Sequence, residues 1–146
     1  MSGKLKILVP VDGSVPSLRA VQHAVELAQR GLAVELHLLN VQPPVRGTAA
    51  MLIAKGELDA YHRDEGMAAL ADAVQALKVA GIVPHLHVAV GAPGATVLAF
   101  VARLGCGLVV MGTRGYGGGM AGAVMGSVAS DVVTGAAVPV TLLNAD

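Results

Sequence analysis

The sequence predicts a single α/β domain, a mainly parallel five-stranded sheet with helices on both faces. Three observations point there. Short apolar runs rich in branched residues alternate with segments of helical period along the chain. Hydrophobic residues make up 54% of the chain and aromatics 2%, so Ala, Val and Leu must build the core, the palette of a sheet covered on both sides. A length of 146 residues buries a sizeable core without disulfides or metal, which makes residues 1–146 one domain.

Leu5 to Val11, LKILVPV, reads as a buried first strand bounded by Asp12-Gly13-Ser14. Ser14 is placed to cap a helix, Pro16 suits its first turn, and Leu18, Val21, Val25 and Ala28 recur at helical spacing until Gly31. Val34 to Val41 is the second strand, closed by Pro43 and Pro44. Gln42 to about Gly56 has no clear period and is predicted to be a loop. A longer helix follows from about Glu57 to Ala80, with Met67, Leu70, Val74 and Leu77 as its buried stripe and Arg63, Asp64, Asp72 and Lys78 facing away. His85 to Val90 is a third strand, Gly91 to Gly94 a turn, and Ala95 to Leu104 a short apolar helix. Leu108 to Met111 is fully apolar, as a central strand is. Beyond a glycine-rich loop, Ser127 to Ala136 reads as a helix and Val138 to Leu143 as the fifth strand.

Composition removes several function classes. Ten basic and ten acidic residues cancel without a basic cluster, so nucleic acid is not an expected partner. Cys106 stands alone, which excludes an internal disulfide and fits a buried thiol in a reducing compartment. Pro10 and Asp12 interrupt the first apolar stretch before it reaches signal-peptide length, and glycines and Pro139 break Gly115 to Asn144 short of a membrane span. A cytoplasmic protein with no membrane partner is therefore expected.

The most informative stretch is Val109 to Val133, which places seven glycines from Gly112 to Gly126 and then enters a helix. Inward-facing amides leading into a helix start form a cradle for phosphate, and glycine lets a ligand approach the backbone. A solvent loop tolerant of glycine is the plainer reading. A Walker loop fails because no lysine follows Lys78. Gly117, Gly119 and Gly122 match a literal GxGxxG, but they lie near the C-terminus, with only Asp146 left to supply the acid such a site needs further on.

A third signature is Gly112-Thr113-Arg114-Gly115 followed by Gly126-Ser127. Taken with KILVPVDGS, a Val closing the second strand, LVVMGTRG, GSVASDVV and VPVTLL, it makes nearly the whole chain resemble the universal stress protein family. The resemblance implies a flavodoxin-like, Rossmann-like fold, a homodimer and, in one branch, an ATP or AMP site. By motif, Asp12 and Val41 would hold adenine and ribose, with the backbone of Pro10 and Val11 alongside. Gly112, Arg114, Gly115, Gly126, Ser127 and Val128 would surround the phosphates, with Met111 at the end of the strand before them. Two departures stand out: Tyr116 to Met125 puts ten residues before Gly126, one more than the family spacing, and Gly107 replaces an acidic residue found in many relatives.

The residue chemistry agrees with that placement. Asp12 accepts hydrogen bonds from an amino group or a hydroxyl, Val41 offers apolar contact, and Ser127 donates to a phosphate oxygen. Asp12 also has a purely structural reading, as a turn or capping residue. His85 and His87 share a strand face, but with no third ligand at sensible spacing they read as packed or half-exposed side chains, and no metal site is expected. A response regulator would need paired acids after the first strand, and a flavin carrier would need aromatics, of which only Tyr116 is near the loop.

No catalytic residue is assigned, since no nucleophile and base pair falls in the predicted loops. The sequence-level expectation is an adenine-nucleotide binder or sensor, taking ATP or AMP/ADP with Mg2+ carried by the phosphates, and at most slow hydrolysis. The alternative is a dimeric interaction module that binds no nucleotide. Val138 to Leu143 is apolar and uncharged, so as an exposed edge it calls for a partner, and pairing with its own copy would give a homodimer.

Overall fold

Branched, apolar strand segments pair in parallel only when crossover helices cover both faces, and this chain supplies both. In the computed structural model, which describes residues 3–45, 47, 53–114 and 125–144, the strands are β1 (Leu5–Pro10), β2 (Val34–Gln42), β3 (His85–Val90), β4 (Leu108–Gly112) and β5 (Val140–Leu143). They form one sheet in the order β3-β2-β1-β4-β5, every pair parallel. The helices between them are α1 (Val15–Gln29), α2 (Lys55–Val79), α3 (Pro93–Leu104) and α4 (Ser127–Gly135). The domain is a flavodoxin-like, Rossmann-like α/β fold. The middle strand is β1; β4, expected at the centre, is interior between β1 and β5.

Alternation along the strands divides the core in two. Ile7, Val9, Leu36, Leu38 and Val110 face α1 and α2, meeting Ala20, Val21, Ala24, Leu70, Ala73 and Leu77. Their neighbours Leu8, Leu39, Val109 and Met111 face α3 and α4, meeting Val97, Phe100, Val101, Ala129 and Val132. Each fully buried Val or Leu contributes about 1.5–3 kcal/mol relative to exposure. The scarcity of aromatics is made good by small residues that let helices sit close to the sheet. Among the described residues no helix is long and apolar enough to cross a membrane.

Several predicted boundaries and faces change. The helix expected from Glu57 begins at Lys55, and its buried stripe is His62, Gly66, Leu70, Ala73 and Leu77. Met67 lies outside that stripe, 42% exposed, while Val74 packs only partly against the core. The missed members are small or polar, so a count of large apolar residues passes over them. Pro93 starts α3 earlier than expected, because a proline in the first turn loses no hydrogen bond. β5 begins at Val140; Pro139 instead accepts from the Val109 amide at 3.0 Å. Cys106 is buried, as its apolar neighbours suggested.

Candidate functional site

β2 and β4 flank β1 on opposite sides, so the chain leaving β1 and the chain leaving β4 diverge and open a crevice at the carboxyl ends of the strands. A cleft of about 330 Å³ occupies that place. Its floor and one wall come from Pro10, Val11 and Asp12 after β1 and from Leu39 and Val41 of β2. The other wall is Met111, Gly112, Thr113 and Arg114, closed by Gly126, Ser127, Val128 and Ala129 at the start of α4. Every site residue predicted from the sequence therefore borders one cavity except Gly115, which lies outside the described residues together with Tyr116 and the glycines at 117–119 and 122.

The two halves of the glycine motif are joined by backbone. The Gly126 amide donates to the Thr113 carbonyl at 2.7 Å, and the Thr113 amide donates to the Leu143 carbonyl at 2.9 Å, which ties the loop's root to β5. A Cβ on Gly126 would come within 3.0 Å of the Thr113 carbonyl and 3.3 Å of the Arg114 Cα, so any other residue would push this backbone apart by a few tenths of an ångström. Arg114 and Ser127 consequently stand on the same side of the cleft despite the residue inserted between their motifs.

Three helix starts meet here. Ser127 opens α4, Pro93 opens α3, and Ser14 caps α1, accepting from the Ser17 amide at 3.4 Å. Gly126 brings no side chain to cap α4, and Ala92 brings no polar one to cap α3. Helix starts carry partial positive charge, and with the Arg114 guanidinium they make this end of the cleft favourable to an anion. Asp12 supplies the opposite chemistry. Its Oδ1 accepts from the Ser14 amide at 2.9 Å, and Gly13 takes φ +85° to complete that turn, so the turn-forming role and a place on the cleft wall coexist. A second hollow, about 450 Å³, shares Asp12 and Val41 and carries Glu65 and Asp72, so negative charge lies on the side away from Arg114.

Ser17, Leu39, Pro93, Val97 and Ala129, which carry no site signal in the sequence, complete the lining with Ser14 and Thr113. Asn40 is a further omission. It is 3% exposed, its Nδ2 donates to the Val11 carbonyl at 2.8 Å, and its Oδ1 accepts from Gln42 at 2.6 Å. A polar residue inside an otherwise buried strand was the available signal.

A separate cluster lies toward the amino ends of β2 and β3, where a third ligand-type side chain, not expected from spacing along the sequence, stands beside the histidines. His85 and His87 do have further ligand-type neighbours, because β2 sets His37 in register with His85 and Leu39 in register with His87. Ligand atoms of Glu35, His37 and His85 all lie within 4.8 Å of one another. His37 Nε2 is 2.7 Å from Glu35 Oε2, and its Nδ1 is 3.0 Å from His87 Nε2. The rings stack, His37 on His85 with centroids 4.6 Å apart and on His87 at 5.2 Å, while the edge of His87 meets Phe100 at 5.5 Å. The hydrogen bond to His37 holds the Glu35 carboxyl below its ordinary range. Desolvation, then the neighbouring His37, His85 and Arg103, push the His87 imidazole down.

Comparison with known proteins agrees with this architecture. A curated universal stress protein of Methanocaldococcus jannaschii is 30% identical over 144 residues, covering 95% of this chain and 81% of its own length. A solved universal stress protein of Lactobacillus plantarum superposes with a TM-score of 0.76 at 25% identity, covering 98% of this chain and 99% of its own. Another, solved in complex with cAMP, gives a TM-score of 0.69 at 26% identity and covers 99% and 100%. The model of the universal stress protein family matches residues 5–144, from the start of β1 to just past β5, and the chain belongs to that family.

Proposed function

We propose that this chain binds an adenine nucleotide, ATP or the related ADP and AMP, and acts as a cytoplasmic binder or sensor in the stress response. The observation that carries the reading is the Gly126 to Thr113 hydrogen bond, which sets Arg114 beside the uncapped start of α4 over an open cleft. A volume of about 330 Å³ falls in the range of small-molecule sites, about 300–1,000 Å³. A family member solved in complex with cAMP supports the reading.

Charge orients the ligand. Phosphates belong with Gly112, Arg114, Gly126, Ser127 and Val128, where cationic charge and helix dipoles converge, and by motif with Gly115. Adenine and ribose belong with Asp12 and Val41, over Pro10 and Val11, where Glu65 and Asp72 nearby would repel phosphate. Met111 adds an apolar contact from the wall on the phosphate side. Mg2+ arrives with the phosphates and supplies charge neutralisation there. The chain's own residues bind and orient; hydrolysis, where it occurs, is slow. Nucleotide occupancy then alters the surface around the loop that partners read. β5 is an edge strand, and pairing along 138–143 with a second copy makes the homodimer.

Tag-free protein is denatured, its supernatant chromatographed for ATP, ADP and AMP, and the refolded or stripped protein titrated calorimetrically with each in the presence of Mg2+. One nucleotide per chain is expected, with Arg114→Ala and Ser127→Ala each weakening it at least tenfold. An empty supernatant together with flat titrations overturns the reading. The inserted residue between the glycine motifs would then favour a dimeric interaction module, for which sedimentation should still report twice the 14.6 kDa chain mass.

A further inference from the structure

Outside the nucleotide cleft, the side chains with the most concentrated ligand chemistry among the described residues are Glu35, His37, His85 and His87. Their placement follows from topology. Residues two apart on a strand share a face, and the β2 and β3 ladder puts His37 directly beside His85. Four ligand-type side chains on adjacent strands thus face the same way, and β3 is the edge of the sheet, open to solvent.

We propose that Glu35, His37 and His85 bind one divalent transition-metal ion, for which Zn2+ is the natural probe, with His87 as the outer partner that fixes the His37 ring. Two imidazoles and a carboxylate form a ligand set suited to Zn2+ and similar ions, with remaining positions for water. Metal-bound ligand atoms at about 2.0–2.1 Å from the ion lie about 3.3 Å apart in a tetrahedron. Here the separations are at most 4.8 Å. The backbone is already fixed by the ladder, and the members that must close the gap lie toward solvent, His85 exposed and Glu35 partly so.

The anchoring member, by contrast, is held. His37 is 6% exposed, and its Nδ1 lies 3.0 Å from His87 Nε2. A ligating imidazole ordinarily presents one nitrogen to the metal and donates from the other to an outer partner, which sets tautomer and orientation. His87 fills that role, and its own ring is braced against Phe100. Glu35 Oε2 and His37 Nε2 lie 2.7 Å apart, within hydrogen-bond distance, so one ion can reach both atoms. An ion taking both as ligands would release to solvent the hydrogen that bridges them. This site uses none of the residues proposed for the nucleotide.

The test is calorimetric titration of tag-free, nucleotide-free protein with Zn2+, repeated with Co2+ to read ligand type from the visible spectrum. One ion per chain is expected, released by chelator, with a Co2+ spectrum of nitrogen and oxygen ligation and no thiolate band. His85→Gln, at an exposed position, should weaken Zn2+ at least tenfold while leaving the thermal midpoint of metal-free protein unchanged, and Glu35→Gln, which keeps a hydrogen-bonding group beside His37, should weaken Zn2+ by as much. His87→Gln should keep the stoichiometry and weaken affinity about 10–100-fold, as outer partners do. His23→Gln, on α1, should change nothing. Absence of saturable binding, a thiolate band from Cys106, or affinity unaffected by His85→Gln would overturn the proposal.

Discussion

The Asn40 side chain reaches across from β2 and donates to the Val11 carbonyl at 2.8 Å, just beyond the last residue of β1. It extends the pairing of the two strands past the point where the ladder ends, alongside the Val11 amide bond to the Leu39 carbonyl at 2.8 Å. The cleft wall at Val11 and Asp12 is thereby held in place. Asn40→Asp keeps the shape and removes the donor, and turns an acceptor toward a carbonyl. It should cost about 1–3 kcal/mol in urea unfolding at neutral pH and weaken nucleotide as well. Wild-type stability in that variant would mean the bond does not brace the wall.

Gly112 illustrates a glycine whose reason is packing as much as ligand access. A Cβ there would come within 2.5 Å of the Pro16 Cβ and 3.0 Å of its backbone carbon, at the start of α1. Neither is a flexible side-chain end. Gly112→Ala should therefore destabilise by about 1–3 kcal/mol, the usual cost of overpacking, in thermal or urea unfolding without any ligand present. Gly56, in the first turn of α2, is the matched control: a Cβ there meets nothing within 4 Å, so Gly56→Ala should stabilise by about 0.4–1 kcal/mol.

What was legible in the sequence follows a physical division. Strands such as HLHVAV and LKILVP were readable because branched runs end abruptly at turn residues, and the alternation with helices was enough to imply a parallel sheet. The α2 face was read only in part, Leu70 and Leu77 but not His62, Gly66 and Ala73, because contact there depends on closeness: Gly66 sits against the Val88 side chain, and a small residue carries no apolar signal. The glycine motif showed which residues to gather at the cleft. That a single backbone bond from Gly126 to Thr113 closes it is a tertiary fact. Glu35 and His37 escaped notice for the same reason, since nothing local in β2 tells which strand will lie beside it.

Cys106 is 4% exposed, and burial pushes its thiol above the ordinary value of 9.0. Two consequences follow. Alkylation should be slow in native protein and fast in urea. The sign for stability is also fixed: the native state holds its proton to higher pH than the unfolded chain, so the stabilisation is fully present below about 9.0 and is lost as pH rises through the folded value. Between about pH 8 and pH 10 the wild type should lose more unfolding free energy than Cys106→Ala, in which the lysines and tyrosines titrate equally. Parallel pH profiles would show that the thiol does not titrate differently on folding.

His62 offers the opposite kind of test, a gain. It lies in the buried stripe of α2 at 5% exposure, its ring edge-on to Tyr61 at 5.4 Å, and its Nδ1 is buried without a hydrogen-bond partner among the described residues. An unsatisfied buried nitrogen costs about 1–3 kcal/mol, whereas an apolar group of similar shape incurs no such penalty. Leucine also has the better helix propensity at a mid-helix position. His62→Leu should therefore raise the thermal midpoint by about 2–4 °C, the shift that 1 kcal/mol produces in a domain near this size. It should leave nucleotide and Zn2+ titrations unchanged, since His62 borders neither site. Were the midpoint to fall instead, His62 would have a partner in the folded protein, and the stripe of α2 would owe its register to a polar contact.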